Sequence, residues 1–199
     1  EIDPGNKEAW ISKADALTWH AGREYEAITA LDRATEIDPD DAEPWQGKGS
    51  LLHTQGRLED AIDAFDRAIE INPRDAYSWS SKGYALKELG KYDQALEALN
   101  RTTEIDPYDS AAWIALSEVL AELDREEEAE KAFDRAVQID SFYAWMCRGY
   151  ALLDMGRAEE AAQAFEQVAG IEPQNAADWS IKGNVLMDLE RYDEALAAF

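Results

Sequence analysis

The chain has 199 residues, 43 of them acidic against 19 basic, and a net charge of −24, so its surface repels the phosphates of nucleic acids and of anionic membranes. An apolar content of 46% is ample for a packed interior and argues against disorder. No stretch of roughly 18 apolar residues offers a membrane span, no charged-then-apolar leader opens the chain, and the single cysteine, Cys147, rules out an intrachain disulfide and suits a reducing cytoplasm.

Tryptophan recurs at Trp10, Trp45, Trp79, Trp113, Trp145 and Trp179, with spacings of 35, 34, 34, 32 and 34 residues. A period of this length predicts stacked repeats rather than one globular core. In the first copy the step from Ala14 to Gly22 is one residue longer than that from Gly49 to Gly56 in the second, which adds Trp19 or His20 to the corner between two helices. The second copy is the clearest. Trp45, Gly49 and Leu52 are spaced i, i+4, i+7, as are Ala61, Phe65 and Ala68, so each triplet lines one face of a helix, here called A and B. Gly56 lies between them, where a chain leaving a helix often needs positive φ, and Pro73 stops helix B.

The third copy reads Trp79, Gly83, Leu86, Gly90, Tyr92, Ala95, Leu99 and Pro107. In the fourth, Asp124 stands in for the turn glycine and no proline ends helix B. The fifth gives Trp145, Gly149, Leu152, Gly156, Ala161, Phe165 and Pro173. Four residues before each tryptophan stands a good helix N-cap: Asn6, Asp41, Asp75, Asp109, Ser141 and Asn175. The two residues missing before Trp145 remove the Asp-Pro hinge seen at Asp38-Pro39 and Asp106-Pro107; Ser141 is expected to keep the cap while the stacking angle changes there.

These residues resemble the tetratricopeptide repeat family, whose helix-turn-helix unit carries Trp, Gly, Tyr, Ala, Phe or Leu, Ala and Pro at set positions. The resemblance implies an all-α fold, a right-handed superhelical solenoid of antiparallel helix pairs. It divides the chain into the end of a preceding repeat (1–6), repeat one (7–41), repeat two (42–75), repeat three (76–109), a short repeat four (110–141), repeat five (142–175) and a truncated repeat six (176–199). One departure is shared: Lys48, Lys82, Arg148 and Lys182 precede the helix-A glycine, where the family often has leucine. Such a residue is expected to lay its stem on the neighbouring helix with its charge in water. Glu1-Ile2-Asp3-Pro4 matches the helix-B ending Glu36-Ile37-Asp38-Pro39, and Phe199 falls midway through a helix B, so a longer native array is expected. Exposed array ends would then offer a route to oligomers.

No nucleophile elbow, phosphate-binding glycine loop or dinucleotide fingerprint is present, so no enzyme activity and no cofactor are expected. Acidic runs at Asp38–Glu43 and Glu126–Glu130 lack the alternating calcium-loop pattern, and His20 and His53 have no recurring partner, so no metal is expected either. The tryptophans are expected to be core pegs.

In the family, helices A line the concave wall, and the resemblance turns positions Trp−2, +1, +5, +8 and +9 into the groove. Lys and Asn residues that would clamp a peptide's terminal carboxylate are missing there. What remains is an apolar wall of Tyr77, Tyr84, Ile114, Tyr143, Met146 and Tyr150 edged by Glu118, Glu122, Asp154 and Asp188. An aromatic centre with a charged rim is the usual anatomy of a peptide site. The expected function is a scaffold that binds a protein or peptide segment bearing basic residues around an apolar anchor, with no nucleic acid and no membrane. The alternatives are a self-associating spacer, or the targeting region of a longer enzyme.

Overall fold

In a computed structural model the described residues, 5–19 and 22–198, form twelve α-helices and no strand. The resemblance of residues 1–4 to a helix ending, the place of His20 at the first corner, and Phe199 lie outside the described residues. Helices A are α1 (Lys7–Thr18), α3 (Ala42–Thr54), α5 (Ala76–Glu88), α7 (Ser110–Glu122), α9 (Ser141–Asp154) and α11 (Ala176–Asp188). Helices B are α2 (Glu24–Ile37), α4 (Leu58–Ile71), α6 (Tyr92–Ile105), α8 (Glu126–Ile139), α10 (Ala158–Gly170) and α12 (Tyr192–Ala198). Each helix A packs most extensively on its own helix B, and within each of two compact bodies consecutive pairs stack in the manner of a helical solenoid. The chain divides into two compact bodies, Glu1–Pro107 and Tyr108–Phe199.

Local sequence accounts for the helix starts. Side chains of Asn6, Asp41, Asp75, Asp109 and Asn175 each accept a backbone N–H from the first turn of the following helix, which satisfies donors that the helix cannot. Ser141 does not cap α9. The cap is Asp140, whose carboxylate accepts the Tyr143 N–H at 3.0 Å. The reason is the deletion: elsewhere in the first four repeats residues such as Asn72 to Asp75 separate B from A, whereas Asp140 alone joins α8 to α9 and ends one helix while starting the next. Ser141 is thereby drawn into the helix.

The A-to-B corner is a Schellman motif. Gly56 has φ +72°, its N–H reaches the His53 carbonyl at 2.9 Å, and the Arg57 N–H reaches Leu52 at 3.0 Å. Asp124 adopts φ +57°, its N–H reaches the Ala121 carbonyl and the Arg125 N–H reaches Leu120, so aspartate fills the glycine's left-handed role. Glu190 does the same at φ +58°, a departure the sequence pattern did not flag.

In repeats two, three and five the core of the pair is a glycine on A against a large side chain on B. A Cβ at Gly49 would lie 2.6 Å from the Phe65 ring, and one at Gly83 would lie 2.8 Å from Leu99; Gly149 is pressed closer still by Phe165. Hydrogen at these positions lets the helices approach closely, and Phe65 and Leu99 are almost completely buried.

The tryptophans are only partly core pegs, because all six are half-buried rather than buried. On five of them a cation three residues on covers the ring: Lys13 over Trp10 at 4.8 Å, Lys48 over Trp45 at 5.4 Å, Lys82 over Trp79 at 5.6 Å, Arg148 over Trp145 at 5.8 Å and Lys182 over Trp179 at 5.4 Å. The sequence-based expectation that Lys48, Lys82, Arg148 and Lys182 leave their charges in water does not hold. Lys48 pairs with Asp32 on the preceding helix B at 2.6 Å, Lys82 with Asp66, and Arg148 with Glu130 at 2.6 Å, while Lys182 donates to the Ile171 carbonyl at 2.7 Å. One side chain thus caps an indole face and ties its repeat to the one before.

Candidate partner-binding surfaces

In the N-terminal body, helices α1, α3 and α5 border a groove of about 560 Å³. Its floor is apolar: Ile11 and Ala14 from α1, Leu31 from α2, and Leu51 from α3 beside Gly47. A Cβ at Gly47 would stand 3.3 Å from Leu31, which is 3% exposed, so the glycine lets α3 pack closely over that side chain. Asp15, Glu24 and Glu43 stand around the floor, and among the described residues no Lys or Arg lines it.

The groove's neutral polar groups are committed elsewhere. Thr18 and Ser50 hydroxyls donate to the Ala14 and Gln46 carbonyls of their own helices at 3.0 and 2.9 Å. Gln46 donates to Asp75 at 2.8 Å, which joins α3 to the cap of α5, and the Ser50 and Tyr77 hydroxyls share a hydrogen bond of 2.6 Å. Tyr77, 52% exposed, therefore stands over one end of this groove. Tyr84 is half-buried on the same helix. Further along, the Glu88 carboxylate lies 3.1 Å from His53 Nε2.

In the C-terminal body, α9 holds Tyr143, Tyr150 and Leu153 out at 38, 41 and 42% exposure, with Met146 half-buried between them and Met187 of α11 at 47%. Glu122, Asp154 and Asp188 are exposed, and Glu118 is half-buried. Tyr150 rests edge-on against Phe165 at 5.2 Å between ring centres, so one side of its ring packs and the other faces out. Ile114 has to be withdrawn from the wall. It is 7% exposed and sits in a cluster with Phe133, Ala136 and Ala144, because α8 and α9 close over that face of α7.

Tyr143 reports the electrostatics of this wall. Burial pushes its phenol up to about 12, helped by Cys147, with which it shares a hydrogen bond, and by the charges of Asp109 and Glu118. A raised value means that folding favours the protonated phenol. Its stabilising effect is complete below the unfolded value near 10 and is lost as pH rises through 12. Tyr143→Phe is therefore expected to remove a phenolate absorbance step near pH 12 and to flatten the fall of Tm between pH 10 and 12. An unchanged alkaline titration would show that Tyr143 is open to solvent.

Models of the tetratricopeptide repeat match residues 7–41, 30–63, 81–144 and 148–199, and a TPR repeat model matches 49–90. The chain belongs to the tetratricopeptide repeat family. Among solved structures it is similar to a MamA protein, 27% identical with a TM-score of 0.65 over 71% of this chain and 77% of that one. It shares its fold with PilF of Pseudomonas aeruginosa, at 19% identity and a TM-score of 0.66 over 96% of this chain and 88% of that one. The same holds for YrrB, described as a TPR protein with an unusual peptide-binding site, at 23% identity and a TM-score of 0.58 over 86% and 89%. No curated protein sequence matches the chain. Tetratricopeptide repeats of this kind serve as protein-interaction scaffolds, and no helix among the described residues is long and apolar enough to cross a membrane.

The residues chosen from sequence as one wall fall on both bodies: Tyr77 and Tyr84 on the N-terminal one, the remainder on the C-terminal one. The positions counted from Trp10 and Trp45 placed Ile11, Asp15, Thr18, Glu43, Gln46, Ser50 and Thr54 in a groove, where the structure brings them together, but the wall chosen from sequence left them out. The signal was present in Gly47, the smallest side chain at the Trp+2 position, where other repeats carry Ser12, Ser81, Ala115, Cys147 and Ile181.

Proposed function

We propose that this tetratricopeptide repeat protein is a non-catalytic scaffold whose helices A hold a partner's segment with Lys or Arg around an apolar anchor. The observation that carries this reading is the C-terminal wall. Tyr143, Tyr150, Leu153 and Met187 are left 38–47% exposed, although nearby positions of the same helices are buried, and their rim is acidic. Burying such side chains against a ligand gains the hydrophobic free energy that the fold leaves unused. Carboxylates around them favour cationic flanks and speed encounter. The likeness to YrrB supports a peptide ligand for a stack of this shape. A net charge of −24 disfavours nucleic acid as the partner.

Selection of the whole chain against a random peptide display library is the test. Enriched sequences should place Lys or Arg beside a Leu, Met or aromatic residue. Capture should fall at least tenfold in Tyr150→Ala and Met187→Ala, with helicity retained. Enrichment of acidic peptides, or undiminished capture by both variants, would overturn the reading.

A further inference from the structure

Sulfur in this chain is confined to one stretch. Met146, Cys147, Met155 and Met187 are its only sulfur-bearing residues, and all four lie in the C-terminal body, on α9, at its end or on α11. Methionine ordinarily fills irregular gaps in a core. Here none of the three does so: the buried apolar core is built from Ala, Leu, Ile, Val and Phe, whereas Met155 and Met187 are 57 and 47% exposed and Met146 is half-buried.

The three thioethers differ in their surroundings. Met187 stands on α11 at the repeat position that Leu153 holds on α9, and lies outside the core clusters around Phe165 and Leu186. Met155 is the C-cap of α9, at the corner leading to α10, and is not among the wall residues. Met146 packs against the cluster of Phe142, Leu152 and Phe165. Cys147 is half-buried and hydrogen-bonded to Tyr143.

An open thioether reacts with a two-electron oxidant such as hydrogen peroxide. The sulfur attacks one peroxide oxygen, an S–O bond forms as the O–O bond breaks, and the second oxygen leaves as water. Sulfur is oxidised by two electrons and peroxide is reduced by two. The sulfoxide is polar where the thioether was apolar, and methionine sulfoxide reductases reverse the change.

We propose that Met187 is a reversible peroxide-modification site that switches the C-terminal wall from apolar to polar. Oxidation places an S–O dipole where the wall offers a ligand an apolar contact, and covering that oxygen without a hydrogen-bond partner is unfavourable. Because Met187 is exposed, the fold tolerates the added oxygen. The proposal rests on the reading of this wall as a partner-binding surface and adds a means of regulating it.

The test treats the whole chain with hydrogen peroxide at about pH 6, where thiols are largely protonated and slow to react, and maps each sulfur by mass spectrometry of proteolytic fragments. Met155 and Met187 are expected to oxidise about fivefold faster than Met146 or more, with Tm changed by less than about 2 °C. Capture of the display-selected peptides should fall about tenfold on oxidation and return after treatment with methionine sulfoxide reductases. The ratio of capture after peroxide to capture before it should be close to one in Met187→Leu, whatever the starting affinity of that variant. Met146→Leu/Met155→Leu, in which Met187 is the sole methionine, should keep the full response. Oxidation of Met187 no faster than that of Met146, a response equally large in Met187→Leu, or none in the double variant would overturn the proposal and leave the scaffold reading standing. No capture by the untreated chain would overturn both.

Discussion

Phe65→Ala is expected to destabilise the N-terminal body by about 3–5 kcal/mol, the range for truncating a fully buried aromatic ring. Phe65 is 1% exposed and its ring lies directly on the backbone of Gly49, so its loss leaves a cavity between α3 and α4 that rigid helices cannot close. The partner change, Gly49→Ala, is also expected to destabilise, by about 1–3 kcal/mol, because the new methyl would stand 2.6 Å from the ring. The two effects should not add. In the double variant the methyl occupies part of the space the ring vacated, so the cost should fall below the sum by at least about 1 kcal/mol. Urea unfolding of the single and double variants, followed by circular dichroism, measures this coupling. Strict additivity would mean that the helices do not meet at this glycine.

Trp79→Ala is expected to cost roughly 2–4 kcal/mol, less than truncation of a wholly buried ring because the indole is half-buried. Three interactions are lost together. The ring leaves its place between repeats, its Nε1 no longer donates to the Pro73 carbonyl at 3.1 Å, and Lys82 loses the aromatic face 5.6 Å from its ammonium. Lys82 also pairs with Asp66 on the preceding helix B, so the tryptophan helps to position a link between repeats two and three. Lys82→Met keeps the stem and removes the charge, and should cost about 1 kcal/mol. Thermal and urea unfolding of the two variants separate the contributions. A cost below about 1 kcal/mol for Trp79→Ala would make the indole a surface residue.

The helices themselves were legible in the sequence. Period-34 tryptophans, i/i+4/i+7 triplets and caps such as Asp75 and Asp109 are signals that act within one or two turns, and α5 and α7 begin where those caps require. The deletion before Trp145 was legible too, but its effect was not. Whether Ser141 or Asp140 caps α9 depends on how far α8 runs before the chain must turn, and α8 runs to Ile139.

The exposure of helix-A residues was much less legible. Ile114 and Met146 occupy the same position of the repeat pattern, yet Ile114 is buried under α8 and α9 while Met146 stays half-open. The lysines before the helix-A glycine show the same limit. Their stems could be placed from the sequence, but not the indole, nor Asp32 and Asp66, that take up their charge.

By itself, then, the sequence of this protein determined the helix pairs, the family and a net charge of −24. These follow from short-range hydrogen bonding, side-chain periodicity and the sum of charges, none of which needs a neighbouring repeat. Only the tertiary structure decided which side chains stay exposed: Tyr143, Tyr150 and Met187 do, whereas Ile114 of the same sequence-chosen wall is covered. The physical reason is that exposure belongs to the packed pair and not to the residue. A side chain is open or covered according to which helix lies over it, and that helix comes from another part of the chain.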